Sequence, residues 1–327
     1  SANTLAAQAD VVLALGTRLQ DFTTGSWTIF SNEQTKFIGV NTARFDAVKH
    51  RSLPVVADVR VTLEEMTVTL ASWRAEDSWS KLAQTEVAKY HSYIDGIAKK
   101  DSSKLATYAQ VVGVADRLAQ LGDYALTAAG GFPGELNNGW RAKSIDSFDC
   151  EYGFSCMGYE LSGAWGAKMA MPNREVISFV GDGSYMMMNS DIYSSVLYGH
   201  KLIVVVCDNG GYAVINRLQV NQGGVPFNNQ IVDCDVQNLV YVDFAKHAES
   251  MGAKSEEVSS ISDLEEAFKR AKKSDVTYVI SIKTHAYEWL EGSAFWDSPT
   301  LEIPTTEENK EALKLYKEGK SKQRQGV

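Results

Sequence analysis

Short apolar runs alternate with longer stretches of helical periodicity through the second half of the chain. Short continuous apolar runs indicate buried strands, whereas spacings of three and four indicate helices that bury one face. Strands alternating with helices are typical of a parallel sheet covered on both faces. The predicted strands are 124–128, 175–180, 202–207 and 277–282, and the predicted helices are 104–120, 187–197 and one opened by Ser262 and Glu265 as a capping box.

The first part of the chain has a weaker pattern. A helix end at 5–9 runs into the apolar strand 11–15, and short strands follow at 37–40 and 55–57. A segment with these three strands buries too little surface to be a stable domain by itself. We therefore expect half of a second α/β domain, with a small complete domain as the alternative.

The remaining pattern divides the chain into three parts. Residues 71–103 are polar with helical periodicity, which predicts a linker that packs as a long helix. The predicted domains are 1–70 and 104–327, the latter ending in a charged helical tail at 305–319. The predicted fold class is α/β, with a Rossmann-like, doubly wound parallel-sheet domain and half of a second α/β domain.

The composition is that of an ordinary folded protein, with 44% hydrophobic and 22% charged residues. The net charge of −9 lacks the basic footprint of a protein that binds nucleic acid or an anionic membrane. No apolar run is long enough to predict a membrane-spanning helix. The four cysteines form no CxxC pair. We expect reduced thiols, a cytoplasmic location, and no nucleic-acid or membrane partner.

Two glycine-rich turns follow consecutive predicted strands. One is Gly181-Asp182-Gly183-Ser184 and the other is Asp208-Asn209-Gly210-Gly211-Tyr212. The carboxyl ends of parallel strands meet at one sheet edge, so we expect Asp182 and Asn209 to lie close together. Carboxylate, amide and carbonyl oxygens suit Mg²⁺ or Ca²⁺, and Mg²⁺ completes its shell with phosphate oxygens and water. The alternative is a pair of ordinary turns.

This pair of turns resembles the fingerprint of the thiamine-diphosphate (ThDP) enzyme superfamily, a Gly-Asp-Gly followed at this interval by an Asn-rich turn. The resemblance implies ThDP and Mg²⁺ as cofactors. It places Asp182, Asn209 and the carbonyl of Gly211 on the metal. It also implies diphosphate contacts at Gly183 and Ser184. Asp208 departs from the pattern, since many relatives carry Asn there. Gly181 and Tyr212 belong to the same implied cofactor site.

Two upstream segments resemble other parts of the superfamily's cofactor site. In 153–159, Met157 corresponds to the bulky residue that wedges beneath the thiazolium, and the backbones of Ser155 and Met157 would hydrogen-bond the pyrimidine. Packing in the core is the alternative for Met157. The loop 129–135 resembles the diphosphate-side loop and contributes Gly131.

Longer motifs narrow the resemblance to the trihydroxycyclohexanedione hydrolase family of inositol catabolism. This family implies ThDP- and Mg²⁺-dependent hydrolytic C–C cleavage, which opens the ring of 3D-(3,5/4)-trihydroxycyclohexane-1,2-dione to give 5-deoxyglucuronate. The chain is similar to the C-terminal portion of such an enzyme. The segments that carry the similarity are 15–26, 130–136, 151–160, 215–219 and 284–288.

The resemblance also implies a partner. ThDP enzymes use a glutamate on a pyrimidine-binding domain, which is N-terminal in this family, and the present sequence offers no candidate for that glutamate. We therefore expect this chain alone to be inactive, to need an N-terminal pyrimidine-binding domain or chain, and to belong to a homodimer or tetramer.

One catalytic side chain is predicted within the chain. His285 follows the last strand at the sheet edge implied for the cofactor, where it could act as a general acid or base. A loop histidine without a catalytic role is the alternative. Two other functions remain open: an acetolactate-synthase-like carboligase or decarboxylase, and a non-catalytic ThDP-binding subunit.

Overall fold

The computed structural model describes residues 2–99, 105–292 and 294–326. The chain forms two compact units, one of residues 1–92 with 292–327 and one of residues 93–291. The predicted end of the linker at 103 and the predicted helix start at 104 lie outside the described residues.

Up to residue 99, the chain forms a small parallel sheet and its helices. The strands pair in the order β1-β2-β3, with Val12 opposite Phe37 and Ile38 opposite Leu53. The predicted third strand, 55–57, is placed too late, because pairing begins at Leu53. The long helix predicted in the linker is confirmed as α5. The elements are α1 (Ala2–Gln8), β1 (Val11–Leu15), α2 (Asp21–Thr24), β2 (Lys36–Val40), α3 (Arg44–Ala47), a 3₁₀ turn (Lys49–Arg51), β3 (Leu53–Val55), α4 (Val59–Thr69) and α5 (Asp77–Ala98).

The second unit contains a six-stranded sheet in the order β5-β4-β6-β7-β9-β8, and all of its neighbouring strands are parallel. The elements are α6 (Tyr108–Leu118), β4 (Tyr124–Thr127), α7 (Phe132–Gly139), β5 (Phe148–Cys150), α8 (Tyr159–Ala170), β6 (Val176–Gly181), α9 (Asp182–Met188), α10 (Ser190–Leu197), β7 (Ile203–Asp208), α11 (Ala213–Asn221), a 3₁₀ turn (Ile231–Asp233), α12 (Phe244–Ser250), β8 (Lys254–Val258), α13 (Ile261–Lys273) and β9 (Tyr278–Lys283).

The central strands are buried on both faces. Along β7, Ile203 and Val205 belong to one apolar cluster, whereas Val204 and Val206 belong to another. Successive side chains of a strand point to opposite faces, so the two clusters lie on the two sides of the sheet. This arrangement confirms the predicted α/β class and its doubly wound parallel sheet.

Two local predictions were wrong. The capping box of α13 does not use Ser262 and Glu265. Instead, Ser260 is the N-cap, and its hydroxyl accepts from the Asp263 backbone N–H at 3.1 Å. The turn predicted at Gly181–Ser184 is the start of a helix, because α9 begins at Asp182 directly after β6.

The charged tail forms α14 (Glu307–Ser321), as predicted, but residues 292–327 pack with the first unit. The backbone N–H of Arg324 donates to the Trp27 carbonyl at 3.1 Å, and the Gln323 amide donates to the Ser26 carbonyl at 2.9 Å. These hydrogen bonds join the end of the tail to the first unit. The sequence prediction had instead grouped the tail with residues 104–327.

Candidate cofactor site

The two glycine-rich turns meet at the carboxyl edge of the sheet. Strands β6 and β7 are parallel neighbours, with Gly181 opposite Cys207. Asp182 therefore begins α9 at the same edge at which Asn209 follows β7. The Asp182 Oδ2 atom accepts from the Gly211 backbone N–H at 2.7 Å. This contact confirms the expectation that the two turns lie together.

Asp182 and Asn209 each keep one oxygen free. Asp182 is only 5% exposed, and its Oδ1 atom is buried without a hydrogen-bond partner. The Asn209 amide donates to the Tyr108 hydroxyl at 2.8 Å, while its Oδ1 atom is also buried without a partner. Two buried oxygen acceptors without donors fit a cation better than they fit an ordinary turn.

The negative charges of Asp182 and Asp208 also favour a cation at this sheet edge. Burial, and then the charge of Asp208, raise the pKa of Asp182 to about 7, because the carboxylate has lost contact with water and faces a second negative charge. Over the described ranges, no three His, Cys, Asp or Glu side chains are grouped to hold a metal. A metal here would depend on amide and backbone oxygens, which is the ligand chemistry predicted for Asn209 and Gly211.

Glycine is required at two of these positions by close approach. A Cβ on Gly211 would lie 2.5 Å from the Asn229 carbonyl oxygen, and the φ angle of Gly211 is +139°. A Cβ on Gly183 would lie 2.5 Å from the Tyr212 ring and 3.5 Å from the Met157 methyl carbon. The structure therefore brings Gly183, Tyr212 and Met157 together, as the cofactor prediction requires.

Met157 does not belong to the apolar core. Its side chain is 38% exposed, and neither apolar cluster of the second unit includes it. Met157 therefore lies outside the apolar core of the second unit, where the alternative had placed it. A partly exposed methionine beside a glycine-lined edge is suited to pack against a ligand.

Two carboxylates shape the loop that carries Ser155 and Met157. Glu151 accepts from the backbone N–H groups of Phe154 at 2.7 Å and Cys156 at 2.9 Å. These hydrogen bonds lower the pKa of Glu151. Ser155 has a positive φ of 53°, a conformation that the flanking bonds hold in place. Sequence reasoning missed this structural role of Glu151.

Glu160 is the second of these carboxylates and is fully buried. It accepts from the Ala129 backbone at 3.0 Å and from the Gly158 backbone at 2.8 Å. Ser184 also hydrogen-bonds to it. Glu160 thus joins the 129–135 loop, the Met157 loop and the start of α9. Glu160 follows Gly158 by two positions in the sequence, and an acidic residue so close to that glycine is the signal that could have identified it.

Gly131 contacts aromatic side chains rather than the two glycine-rich turns themselves. It packs against Trp289, where a Cβ would come within 2.0 Å of the indole ring. The Trp289 ring lies 5.3 Å from the Tyr108 ring, measured between centroids, and the Tyr108 hydroxyl accepts from Asn209. Gly131 is therefore connected to Asn209 through two aromatic side chains.

His285 lies at the predicted edge, two residues after the end of β9. Its backbone N–H donates to the Ala106 carbonyl at 2.8 Å, and its Nδ1 atom accepts from the Tyr287 backbone at 3.1 Å. The Nε2 atom lies 3.7 Å from a Glu288 oxygen. These contacts fix the ring, while its catalytic role stays a prediction.

Glu135 is a buried carboxylate beside the same aromatic layer. It is 4% exposed; Oε1 accepts from the Leu290 backbone at 3.0 Å, and Oε2 has no partner. Burial raises its pKa to about 7, against the opposing effects of the Leu290 hydrogen bond and the Arg217 charge. Because the folded pKa exceeds the ordinary value of 4.5, the free energy of unfolding should fall as pH rises from about 4.5 through 7.

We expect Glu135→Gln to remove this pH dependence, since the amide needs no ionisation when buried. The variant should exceed the parent in free energy of unfolding by about 3 kcal/mol at pH 8 and by almost nothing at pH 4. Urea unfolding followed by circular dichroism at pH 4, 6 and 8 measures this difference. Glu249→Gln, at an exposed site, is the control. A difference that stays constant with pH would contradict the assignment.

Within residues 2–99, 105–292 and 294–326, none of the helices combines the length and apolar character that a membrane crossing needs.

Comparison with known protein families identifies the class to which this sheet edge belongs. The thiamine pyrophosphate enzyme C-terminal TPP-binding domain matches residues 128–282, and the thiamine pyrophosphate enzyme central domain matches residues 1–66. Together these matches cover more than half of the chain. The chain belongs to the thiamine pyrophosphate enzyme family.

Within this family, the chain is similar to curated hydrolases. It is 34% identical to the 3D-(3,5/4)-trihydroxycyclohexane-1,2-dione hydrolase of Halalkalibacterium halodurans, over 97% of this chain and 54% of that protein. It is 33% identical to the 3D-(3,5/4)-trihydroxycyclohexane-1,2-dione hydrolase 2 of Bacillus cereus strain ZK / E33L, over 90% of this chain and 51% of that protein. The chain spans about half the length of these relatives.

A solved structure shares the fold. The thiamine diphosphate-dependent 4-hydroxybenzoylformate decarboxylase of Rhodococcus jostii RHA1 matches 77% of this chain and 44% of its own, with a TM-score of 0.61 and 20% sequence identity. A likeness at this identity supports the α/β architecture and carries no conclusion about substrate.

Proposed function

We propose that this chain is the C-terminal portion of a ThDP- and Mg²⁺-dependent hydrolase. The reaction is the hydrolytic ring opening of 3D-(3,5/4)-trihydroxycyclohexane-1,2-dione to 5-deoxyglucuronate. The observation that carries the proposal is the 34% identity to a hydrolase of this name over 97% of the chain. The family matches support ThDP as the cofactor.

The cofactor would lie across the edge described above. Asp182, Asn209 and the Gly211 carbonyl would hold Mg²⁺, and the unpartnered oxygens of the first two support this assignment. The backbone of 181–184 and Tyr212 would line the diphosphate. Ser155 and Met157 would position the rings. When bound, ThDP supplies an electron sink for the pair released as a C–C bond beside a carbonyl breaks.

The protein's own residues must position the dione, admit one water and move protons. Water adds to one carbonyl carbon, the bond to the neighbouring carbon breaks, and that neighbouring carbon gains a proton. We assign one proton transfer to His285. Its Nδ1 atom accepts from Tyr287, so Nε2 is the atom left to exchange a proton with substrate or water.

A second domain would complete the site. Phe154 is 91% exposed, and Met157, Met186 and Met187 are also exposed beside the predicted cofactor position. Apolar surface of this kind marks an interface. The relatives are about twice as long as this chain, and we assign the covering surface to their pyrimidine-binding domain, within a homodimer or tetramer. The four free thiols support a reducing compartment such as the cytoplasm.

Substrate conversion by the protein that includes the pyrimidine-binding domain tests the proposal. We expect the dione to yield an open-chain acid without release of carbon dioxide, and pyruvate to yield no acetolactate. Nuclear magnetic resonance of the products identifies both outcomes. Consumption of pyruvate with an untouched dione would favour the carboligase or decarboxylase alternative instead. If neither substrate reacts while ThDP binds, the proposed hydrolase activity is contradicted, as a non-catalytic binding subunit predicts.

Met157 should matter for turnover more than for cofactor affinity, because a wedge sets geometry. We expect Met157→Ala to lower kcat by about 100-fold while the Kd for ThDP changes by less than about threefold. Met157→Leu, which keeps the bulk, should retain most of the turnover. Steady-state kinetics and calorimetric titration with ThDP measure the two effects. Normal turnover in Met157→Ala would remove the assigned role.

A further inference from the structure

A cavity of about 420 Å³ in the second unit lies between α11 and the segment that follows β9. Its polar side chains are Asn216, Arg217 and Asn221 on one side and Tyr287 and Glu291 on the other, and Trp289 forms an apolar wall. The volume falls in the range of small-molecule sites. None of these side chains belongs to the predicted metal or diphosphate set.

Arg217 is the distinctive group of this cavity. Its guanidinium carbon lies 5.7 Å from the centroid of the Trp289 ring, and the side chain is half-buried. In the part of the chain that the structure describes, Arg217 has no side-chain hydrogen bond and no ion pair, although Glu291 lines the same cavity and the Arg217 charge acts on the buried Glu135 carboxyl. A planar guanidinium held against an aromatic face presents its N–H fork for two-point binding of a carboxylate.

Two buried polar atoms beside Arg217 also lack partners. Asn216 is 2% exposed, and its Oδ1 atom has no hydrogen-bond donor. The Trp289 Nε1 atom is buried without an acceptor. Unpartnered buried donors and acceptors are rare in folded proteins, so these two atoms make the wall of the cavity more polar than a packed apolar core.

The cavity adjoins the predicted cofactor site. The Asn216 backbone N–H donates to the Tyr212 carbonyl at 3.0 Å, and Trp289 contacts Tyr108, the partner of Asn209. Hydrolytic ring opening of a neutral dione creates one new anionic group, a carboxylate. A positive charge beside this carboxylate stabilises the anion as it forms and interacts more weakly with the neutral substrate.

We propose that Arg217, stacked on Trp289, binds the carboxylate of the open-chain acid formed by ring hydrolysis. This inference rests on the proposed function for the identity of the acid. The carboxylate site itself is tested separately, by binding without turnover.

The probes are D-gluconate and D-sorbitol, two open-chain six-carbon polyols of which only gluconate carries a carboxylate. Calorimetric titration of the complete protein should show that gluconate binds at least about tenfold more tightly than sorbitol. Arg217→Gln should abolish this preference, and Arg217→Lys should keep part of it. Arg117→Gln, which removes an arginine from an exposed pair with Glu265, should leave gluconate binding unchanged.

Kinetics on the dione provide a second readout. Arg217→Gln should raise the inhibition constant of gluconate at least about tenfold and change the KM for the neutral dione by less than about threefold. The inference would be overturned if gluconate and sorbitol bound equally well, or if Arg217→Gln left gluconate binding unchanged. The proposed function would still stand in that case, provided that the protein opens the dione. Arg217-dependent gluconate binding in a protein that leaves the dione intact would support the site and overturn the proposed function.

Discussion

Replacement of Asp182 by Asn should greatly weaken Mg²⁺-dependent binding of ThDP. Asp182 supplies a negative charge at the edge, whereas the Asn209 amide and the Gly211 carbonyl are neutral. The amide of the variant can still accept from the Gly211 N–H that contacts Asp182 at 2.7 Å, so the turn should persist. Loss of a residue that only hydrogen-bonds to a metal ligand lowers metal affinity by about 10- to 100-fold. Because Asp182 is itself the proposed ligand, we expect the affinity to fall by at least about 100-fold.

Calorimetric titration of the complete protein with ThDP, in the presence and absence of Mg²⁺, measures this effect. Asp235→Asn provides the matched control, because Asp235 is exposed and lies outside the predicted site. The control should bind as the parent does, and circular dichroism should show that both variants are folded. Mg²⁺-dependent binding within about threefold of the parent would remove Asp182 from the metal site.

The isolated 327-residue chain should fail to turn over the dione. Proton transfer by a positioned group contributes about 10²- to 10⁴-fold to a rate, and the glutamate that the resemblance requires belongs to the pyrimidine-binding domain. We expect the thiazolium C2 proton of ThDP to exchange with solvent at the rate of free ThDP when this chain is added. Nuclear magnetic resonance in deuterated buffer measures that exchange.

Addition of the pyrimidine-binding domain is the positive control. The exchange rate should then rise at least about 100-fold and the dione should be consumed. Fast exchange with the isolated chain would show that it carries a base of its own. Glu135 and Glu160 would then be the first candidates, because both are buried carboxylates with raised pKa values.

The central strands could be predicted because their signal is local. Residues 202–207 are a continuous apolar run, and β7 forms at Ile203–Asp208 with both faces buried. Strands β5 and β8 were missed, since Phe148–Cys150 is only three residues long and Lys254–Val258 is mostly polar. Both lie at the edges of the sheet, where a strand needs little apolar sequence.

The site could be predicted only as far as topology determines it. The proximity of Asp182 and Asn209 follows from two adjacent parallel strands, so the sequence alone was sufficient. Tyr108 is 101 positions from Asn209, and Leu290 is 155 positions from Glu135. Contacts of this kind depend on how helices and loops pack over the sheet edge, and no local pattern in the sequence records them.

The central claim is that this sheet edge holds metal-bound ThDP. A crystal structure of the complete protein grown with ThDP and Mn²⁺ in place of Mg²⁺ tests it, because Mn²⁺ can be located by its anomalous scattering. We predict one anomalous peak at roughly 2.0–2.3 Å from oxygens of Asp182, Asn209 and the Gly211 carbonyl. A peak bounded by other residues, or ThDP bound with no metal at this edge, would contradict the account.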